Sequence, residues 1–366
     1  MGVFDLILYI WKYANDTFDR IAVIDNATSI IWVKRYYTAG EFELYIAASA
    51  ELLELFQGDI FITRDDTTTA MYVESVKLTT NEETGEYLTI KGHSAEIMLN
   101  WRIVMQAVYS SSNTTAEHIV RDVLTTWIIQ PSEIIVSDDY IPFLTLGEER
   151  GYTDKLTAQY TGKKLLDVIS GICNTFNYGI SFAWNGSGFT VNLYQGVDRS
   201  VDQSENNYVI FSPEFENLGK TEYLNDTANF ANSAIIGGEG EGTARTFAFV
   251  YPDGVTGFYR RTLYVDARQS SSDTEGGELT PSQYRKQLQA AGQDAIDARK
   301  ITRTFNGEIL NYNAYKYGVD YDLGDKVSII NEYGIRGNAT ITEITEVEDG
   351  TGYKLVPTLS EWELEV

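Results

Sequence analysis

The chain has 366 residues, with 28 basic and 53 acidic side chains, a formal net charge of −25, 43% hydrophobic residues and 13% aromatic residues. That length exceeds one typical core and predicts two or three domains. The acidic excess repels phosphate backbones and anionic lipid, which argues against ordinary DNA or membrane binding, and the single cysteine, Cys173, excludes an intrachain disulfide.

The opening "MGVFDLILYIWKY" has no basic n-region and an apolar run too short to span a bilayer. Leu6 occupies the position where a myristoylation signal needs Ser or Thr. The sequence therefore reads as a soluble, cytosolically made protein.

Residues 1–100 read as strands joined by turns. "SIIWVKRYYTAGEFELYIA" alternates apolar and polar residues on both sides of Ala39-Gly40, and "AMYVESVKLTT" with "GEYLTIKG" brackets "NEET" as a hairpin. Ser94 is the expected N-cap of one helical turn carrying Ile97, Met98 and Trp101. The pattern changes over residues 101–200, which read as an α+β unit. Thr114 and Glu117 fit a capping box opening a helix with Ala116, Val120, Val123 and Trp127 on one face. A second helix is expected over residues 163–176, and "GISFAW-NGSG-FTVNLY" is a hairpin.

Residues 201–366 return to strands, among them "NYVIFSPEF", "ANSAIIGGEG", "TARTFAFVY" and "RGNATITEITEVED", broken by one long helix over residues 281–303. Thr280 is its N-cap, Pro281 its first residue, and Gln283 completes a capping box. Tyr284, Leu288, Ala291, Ala295 and Ala298 form its seam. The fold class expected from pattern is mainly β with an α+β insertion.

No motif for chemistry in the chain is complete. Two histidines, His93 and His118, and one cysteine cannot assemble a zinc site, and no G-x-S-x-G elbow accompanies "GHS". "AIIGGEGEG" imitates a dinucleotide-binding turn, but the next segment alternates like a strand and offers no helix N-terminus for pyrophosphate. In "YTGKKLL" Lys164 stands where a P-loop needs Ser or Thr. Asp320, Asp322 and Asp325 lie close together but lack an EF-loop ladder. They read as the corner of a β-structure, with Gly324 at positive φ and Asp325 capping the turn. No catalytic residue, metal site or cofactor is expected.

Seven stretches in order ("SIIWVKRYYTAGEFELYI", "GHSAEIMLNWRIV", "YTGKKLLDVI", "VIFSPEFENLGKTEY", "GGEGEGTAR", "YVDAR" and "KYGVDYDLGDKVSII") resemble the Tal-like, Gp37-like tail-hub proteins of siphophages. This family is similar in fold to the central baseplate hub of contractile phages. The resemblance implies two tandem β-barrel-like hub domains: residues 1–100, completed by strands from about 201–240, and residues 201–366. An α+β domain over residues 101–200 separates them. It also implies a non-enzymatic homotrimer in the virion tail tip, assembled in the cytoplasm of the bacterial host. The ring would join a sixfold distal tail protein ring to a threefold tip, meet tip, fibre or receptor-binding proteins, and enclose a channel for tape-measure protein and DNA. DNA would pass without specific binding, and no membrane insertion by this chain is implied. Many relatives continue into a hydrolase or a fibre region, whereas this chain stops soon after "PTLSEWELEV", so lytic activity is expected from another chain.

Two strand–turn–strand segments are the interface candidates: Arg35, Tyr36, Tyr37, Gly40, Glu41 and Phe42 in one, and Asp320, Asp322, Gly324 and Asp325 in the other. Internal barrel strands are their alternative reading. Competing functions are a carbohydrate-binding adhesin, from the Tyr and Trp excess, and a cell-wall hydrolase using an Asp/Glu pair.

Overall fold

A computed structural model describes residues 6–81, 85–131, 137–274, 277–309, 315–360 and 363–364. The chain divides into a larger unit, Met1–Thr221 with Asn306–Val366, and a smaller unit, Glu222–Phe305.

The N-terminal part of the larger unit contains β1 (Leu8–Ala14), β2 (Thr17–Ile24), β3 (Ser29–Arg35), β4 (Glu41–Ala47), the short helix α1 (Ala50–Leu55), β5 (Ile60–Arg64), β6 (Met71–Asn81) and β7 (Gly85–Ser94). Alternation makes these strands. In β4, Phe42, Leu44 and Ile46 are buried while Glu41 and Ala47 face water. Both expected hairpins form, with Trp32 opposite Phe42 and Leu78 opposite Leu88. The inward residues of this layer, including Leu8, Ile10, Trp32, Leu44, Ile62 and Ile90, gather into one core cluster. Each such Leu or Ile contributes about 1.5–3 kcal/mol by leaving water.

Next come β8 (Ile103–Tyr109), α2 (Ala116–Leu124), β9 (Leu144–Leu146), β10 (Ala158–Lys164), α3 (Leu165–Phe176), β11 (Gly179–Trp184) and β12 (Phe189–Tyr194). The expected hairpin pairs residue for residue, from Gly179 opposite Tyr194 to Trp184 opposite Phe189. Its inward side chains join Ile119, Val123, Ile169 and Ile172 of the two helices in a second cluster.

Two local expectations are corrected here. Ser94 does not cap the turn Ala95–Trp101, which is a 3-10 helix, because its Oγ accepts from the Gly40 backbone N–H at 2.7 Å. The cap of α2 is Thr115 rather than Thr114, with its side chain accepting from His118 N. The Glu117 carboxylate is drawn away from a capping box by Arg150 N at 2.6 Å and Tyr152 N at 2.8 Å.

After β13 (Ile210–Phe211), cut short where Pro213 opens a 3-10 turn, β14 (Leu218–Asp226) leads into the smaller unit. That unit holds β15 (Ser233–Gly237), β16 (Phe247–Val250), β17 (Thr262–Asp266), β18 (Asp273–Thr274), β19 (Gly277–Glu278) and α4 (Pro281–Asp297). The capping box of α4 forms as read, with Thr280, Pro281 and Gln283 in their expected places. The helix ends at Asp297 rather than at 303, because the strand β20 (Thr302–Ile309) has begun by then. Its buried residues are Tyr284, Leu288 and Gly292, so the contact line drifts off the alanine seam. The chain then runs through β21 (Lys326–Ile330), β22 (Arg336–Asp349), β23 (Gly352–Leu359) and β24 (Glu363–Leu364).

Strand β22 ties the two ends of the sequence together. Its segment 343–348 pairs with β3, and its first residues pair with β21. The resulting sheet has the order β13-β21-β22-β3-β4-β7-β6-β5-β1-β2, with β23 and β24 also on β22. The architecture is mainly β in several sheets, and among the described residues none closes into a barrel: β2 and β13 end that order without pairing to each other. Among the described residues, no helix is long and apolar enough to cross a membrane.

Candidate functional site

The two segments singled out in the sequence meet inside the larger unit. Tyr36, at the end of β3, is fully buried; its hydroxyl donates to the Asn177 carbonyl at 2.9 Å and accepts from Gly196 N at 3.0 Å. Gly324, at φ +94°, lies beneath that ring, and a Cβ there would sit 2.3 Å from Tyr36 Cε2. Only glycine meets both demands. The next residue, Asp325, is also buried and accepts from Val197 N at 2.7 Å, Arg199 Nε at 2.7 Å and Asp322 N at 2.9 Å. The aspartate-rich corner therefore clamps the segment after β12 onto the entry to β21.

The remaining candidates have equally local partners. Arg35 reaches Glu343 Oε2 at 2.6 Å and Glu41 Oε1 at 2.9 Å, bridging β22, β3 and β4. Tyr37 donates to Asn177 Oδ1 at 2.8 Å, and burial pushes its phenol up to about 12. Phe42 is buried in the N-terminal core, and Gly40 N donates to the Ser94 hydroxyl oxygen as described above. Asp320 accepts from Lys316 N at 2.7 Å, and Asp322 accepts from Leu323 N at 2.7 Å.

Around this clamp opens a cavity of about 740 Å³, walled by four cations (Lys34, Arg35, Arg150, Arg199) and four acids (Asp66, Glu96, Asp322, Asp325). Most of these charges are already engaged. Arg199 holds Asp325, Lys34 Nζ lies 3.0 Å from Glu346 Oε1, and Arg64 Nη2 lies 2.8 Å from Glu346 Oε2. Burial alone raises the Glu346 carboxyl, but Lys34 and Arg64 outweigh it and hold the group below its ordinary range. Glu96 is the opposite case. Burial pushes its carboxyl up against hydrogen bonds from Ser94 and Phe182 N, and its Oε2 has no protein partner. The arrangement is a set of internal ties, and among the described residues no cluster of three His, Cys, Asp or Glu side chains suits a metal. His93 pairs with Glu74 on the sheet surface and is not part of a relay.

Sequence reasoning missed Arg64 and Glu346. Arg64 is buried at the end of β5, stacks 5.1 Å over Trp32, and grips both Asp66 and a glutamate 282 positions away. The only signal was a buried-phase position in β22 occupied by Glu346.

A family model described as Siphovirus ReqiPepy6 Gp37-like protein matches residues 7–359. Among solved structures the chain is similar to a tail protein from Neisseria meningitidis MC58 (13% identity, 98% of this chain and 97% of that one, TM-score 0.56). It is also similar to the 43 kDa tail protein of prophage MuSo2 from Shewanella oneidensis (12% identity, 97% of each chain, TM-score 0.54). A Francisella PdpA–VgrG complex matches at 10% identity and TM-score 0.50 over 98% of this chain but 58% of its own. At these identities the likeness carries the fold. No curated protein matches the sequence.

Proposed function

The chain belongs to the Siphovirus ReqiPepy6 Gp37-like family, a family of structural bacteriophage tail proteins, and from that premise we propose that it is the hub of a tail tip. In this reading three copies form a ring that joins a sixfold distal tail protein ring to a threefold tip. The axial opening passes tape-measure protein and then DNA. Two barrel-like modules per chain, one from the N-terminal strands and one from the C-terminal strands, would supply six similar elements per ring. The segments around Tyr36 and Asp325 would then fix one module against the other within each copy.

The family match across residues 7–359 is the observation that carries this reading. Two others agree with it. Most charges that wall the candidate cavity are tied to other side chains of the fold, which suits a scaffold rather than a catalyst. The net charge of −25 makes a channel wall that repels phosphate and lets DNA slide. The test is molar mass by light scattering followed by end-on electron-microscope class averages of the full chain. A trimer with an axial hole is expected; a solid monomer at every concentration overturns the hub.

A further inference from the structure

The smaller unit carries a surface that its own fold does not use. Helix α4 covers one face of the β16-β15-β17 sheet, burying Ile236, Ala248 and Leu263 with Leu288. On β16 the alternate side chains Phe247 and Phe249 are exposed, as is Tyr264 on β17. Beside them the turn before β17 holds Phe258 and Tyr259 at 91% and 76% exposure. This turn is fixed rather than loose: Asn232 donates Nδ2 to the Tyr259 carbonyl and accepts from Arg261 N, each at 2.9 Å.

Two adjacent arginines complete the patch. Arg260 stacks 4.1 Å over Tyr251 and donates Nη2 to the Val255 carbonyl, while its Nε is buried without a protein partner. Arg261 lies 5.6 Å over Phe230 and donates Nη1 to the Thr227 carbonyl. Neither has a carboxylate partner among the described residues, in a chain with nearly two acids for every base. Tyr251 and Phe230, the two rings beneath them, line one concavity of about 300 Å³, in which Asp297 is the one acidic wall. Exposed aromatics and arginines held in place by ring stacking and carbonyl hydrogen bonds beside a pocket are the composition of a binding hot spot.

Charge points to the occupant. The smaller unit has 9 basic and 11 acidic residues, so it is nearly neutral, whereas the rest of the chain has 19 basic and 42 acidic. We propose that this arginine–aromatic patch docks on the acidic larger unit of a neighbouring copy of the chain. The contact is heterologous, one patch meeting a different surface of the next copy, which is the geometry that builds a ring when the rotation between copies closes. It rests on the hub reading for the presence of several copies and adds the surface that joins them. The two patch arginines, set against an acidic partner surface, steer the copies together and fix their register.

The test uses the full chain with Phe258→Ser and Arg261→Glu, singly and together, since both side chains are exposed and neither belongs to a buried core. Circular dichroism melts check that the fold is kept, and analytical ultracentrifugation reads self-association. Each substitution should weaken association by about 30-fold. Added salt should weaken the wild type more than the Arg261→Glu variant, and Arg261→Lys should keep most of the association. A double variant that assembles as tightly as the wild type overturns the patch and leaves the hub reading standing. A wild type that never exceeds a monomer overturns both.

Discussion

Gly324→Ala probes the clamp most directly. The added Cβ meets Tyr36 Cε2 at 2.3 Å and Cζ at 2.5 Å, and the backbone at φ +94° is one that L side chains rarely adopt. The conformational cost is about 1–2 kcal/mol. Pushing the ring aside adds about 1–3 kcal/mol of overpacking. Displacing its hydroxyl from Asn177 O and Gly196 N adds about 1 kcal/mol more, giving roughly 3–6 kcal/mol in all. All six tryptophans lie outside residues 222–305, so their fluorescence during urea unfolding reports on the larger unit alone. A double-mutant cycle separates the contributions. In a Tyr36→Ala background the clash is gone, and Gly324→Ala should cost only the backbone share, leaving a coupling of about 2–4 kcal/mol. A coupling under about 0.5 kcal/mol would show that the ring does not constrain this turn and would refute the clamp.

The buried charges supply the other expectations. Arg64→Met leaves Glu346 buried with Lys34 as its one cation and the Tyr353 hydroxyl as a donor, and should cost about 3–5 kcal/mol in the same urea assay; a loss below about 1 kcal/mol would show the pair to be dispensable. Because Glu346 is held below its ordinary pKa when folded, its contribution is complete above about pH 4.3 and is lost as pH falls through the lower folded value. Wild type should therefore lose stability more steeply than Glu346→Gln in that acid range, and equal slopes would contradict the assignment. Glu96 has the opposite sign. Its folded carboxyl is raised, so its ionisation costs stability as pH rises through the window above the ordinary glutamate value. Glu96→Gln keeps the acceptor for Phe182 N and should stabilise the larger unit at pH 7, with the gain vanishing near pH 4. A Gln variant less stable than wild type at pH 7 would mean that the carboxylate is ionised and paired.

Much of the local structure was legible because it is written in neighbours along the chain. The hairpins of β3–β4, β6–β7 and β11–β12 follow from period-two alternation around turn residues, and the start of α4 follows from Thr280, Pro281 and Gln283. The positive φ at Gly324 and the turn capped by Asp325 were readable in the same way, since "DLGDK" holds both signals within five residues. Ser94 and Glu117 do not cap as their positions suggest, because a side chain suited to a cap bonds elsewhere when tertiary structure brings a nearer donor, here Gly40 N, Arg150 N and Tyr152 N.

What the sequence alone determined was therefore the β-rich class, the run of elements, the turn chemistry and, through seven ordered motifs, the family. Tertiary structure decided that β22 would lie on β3, that Tyr36 would roof Gly324, and that Arg64 would find Glu346 from 282 positions away. Those choices depend on which edges and buried charges meet across long loops, and pairing free energy at such separations leaves no periodic trace in the residues between.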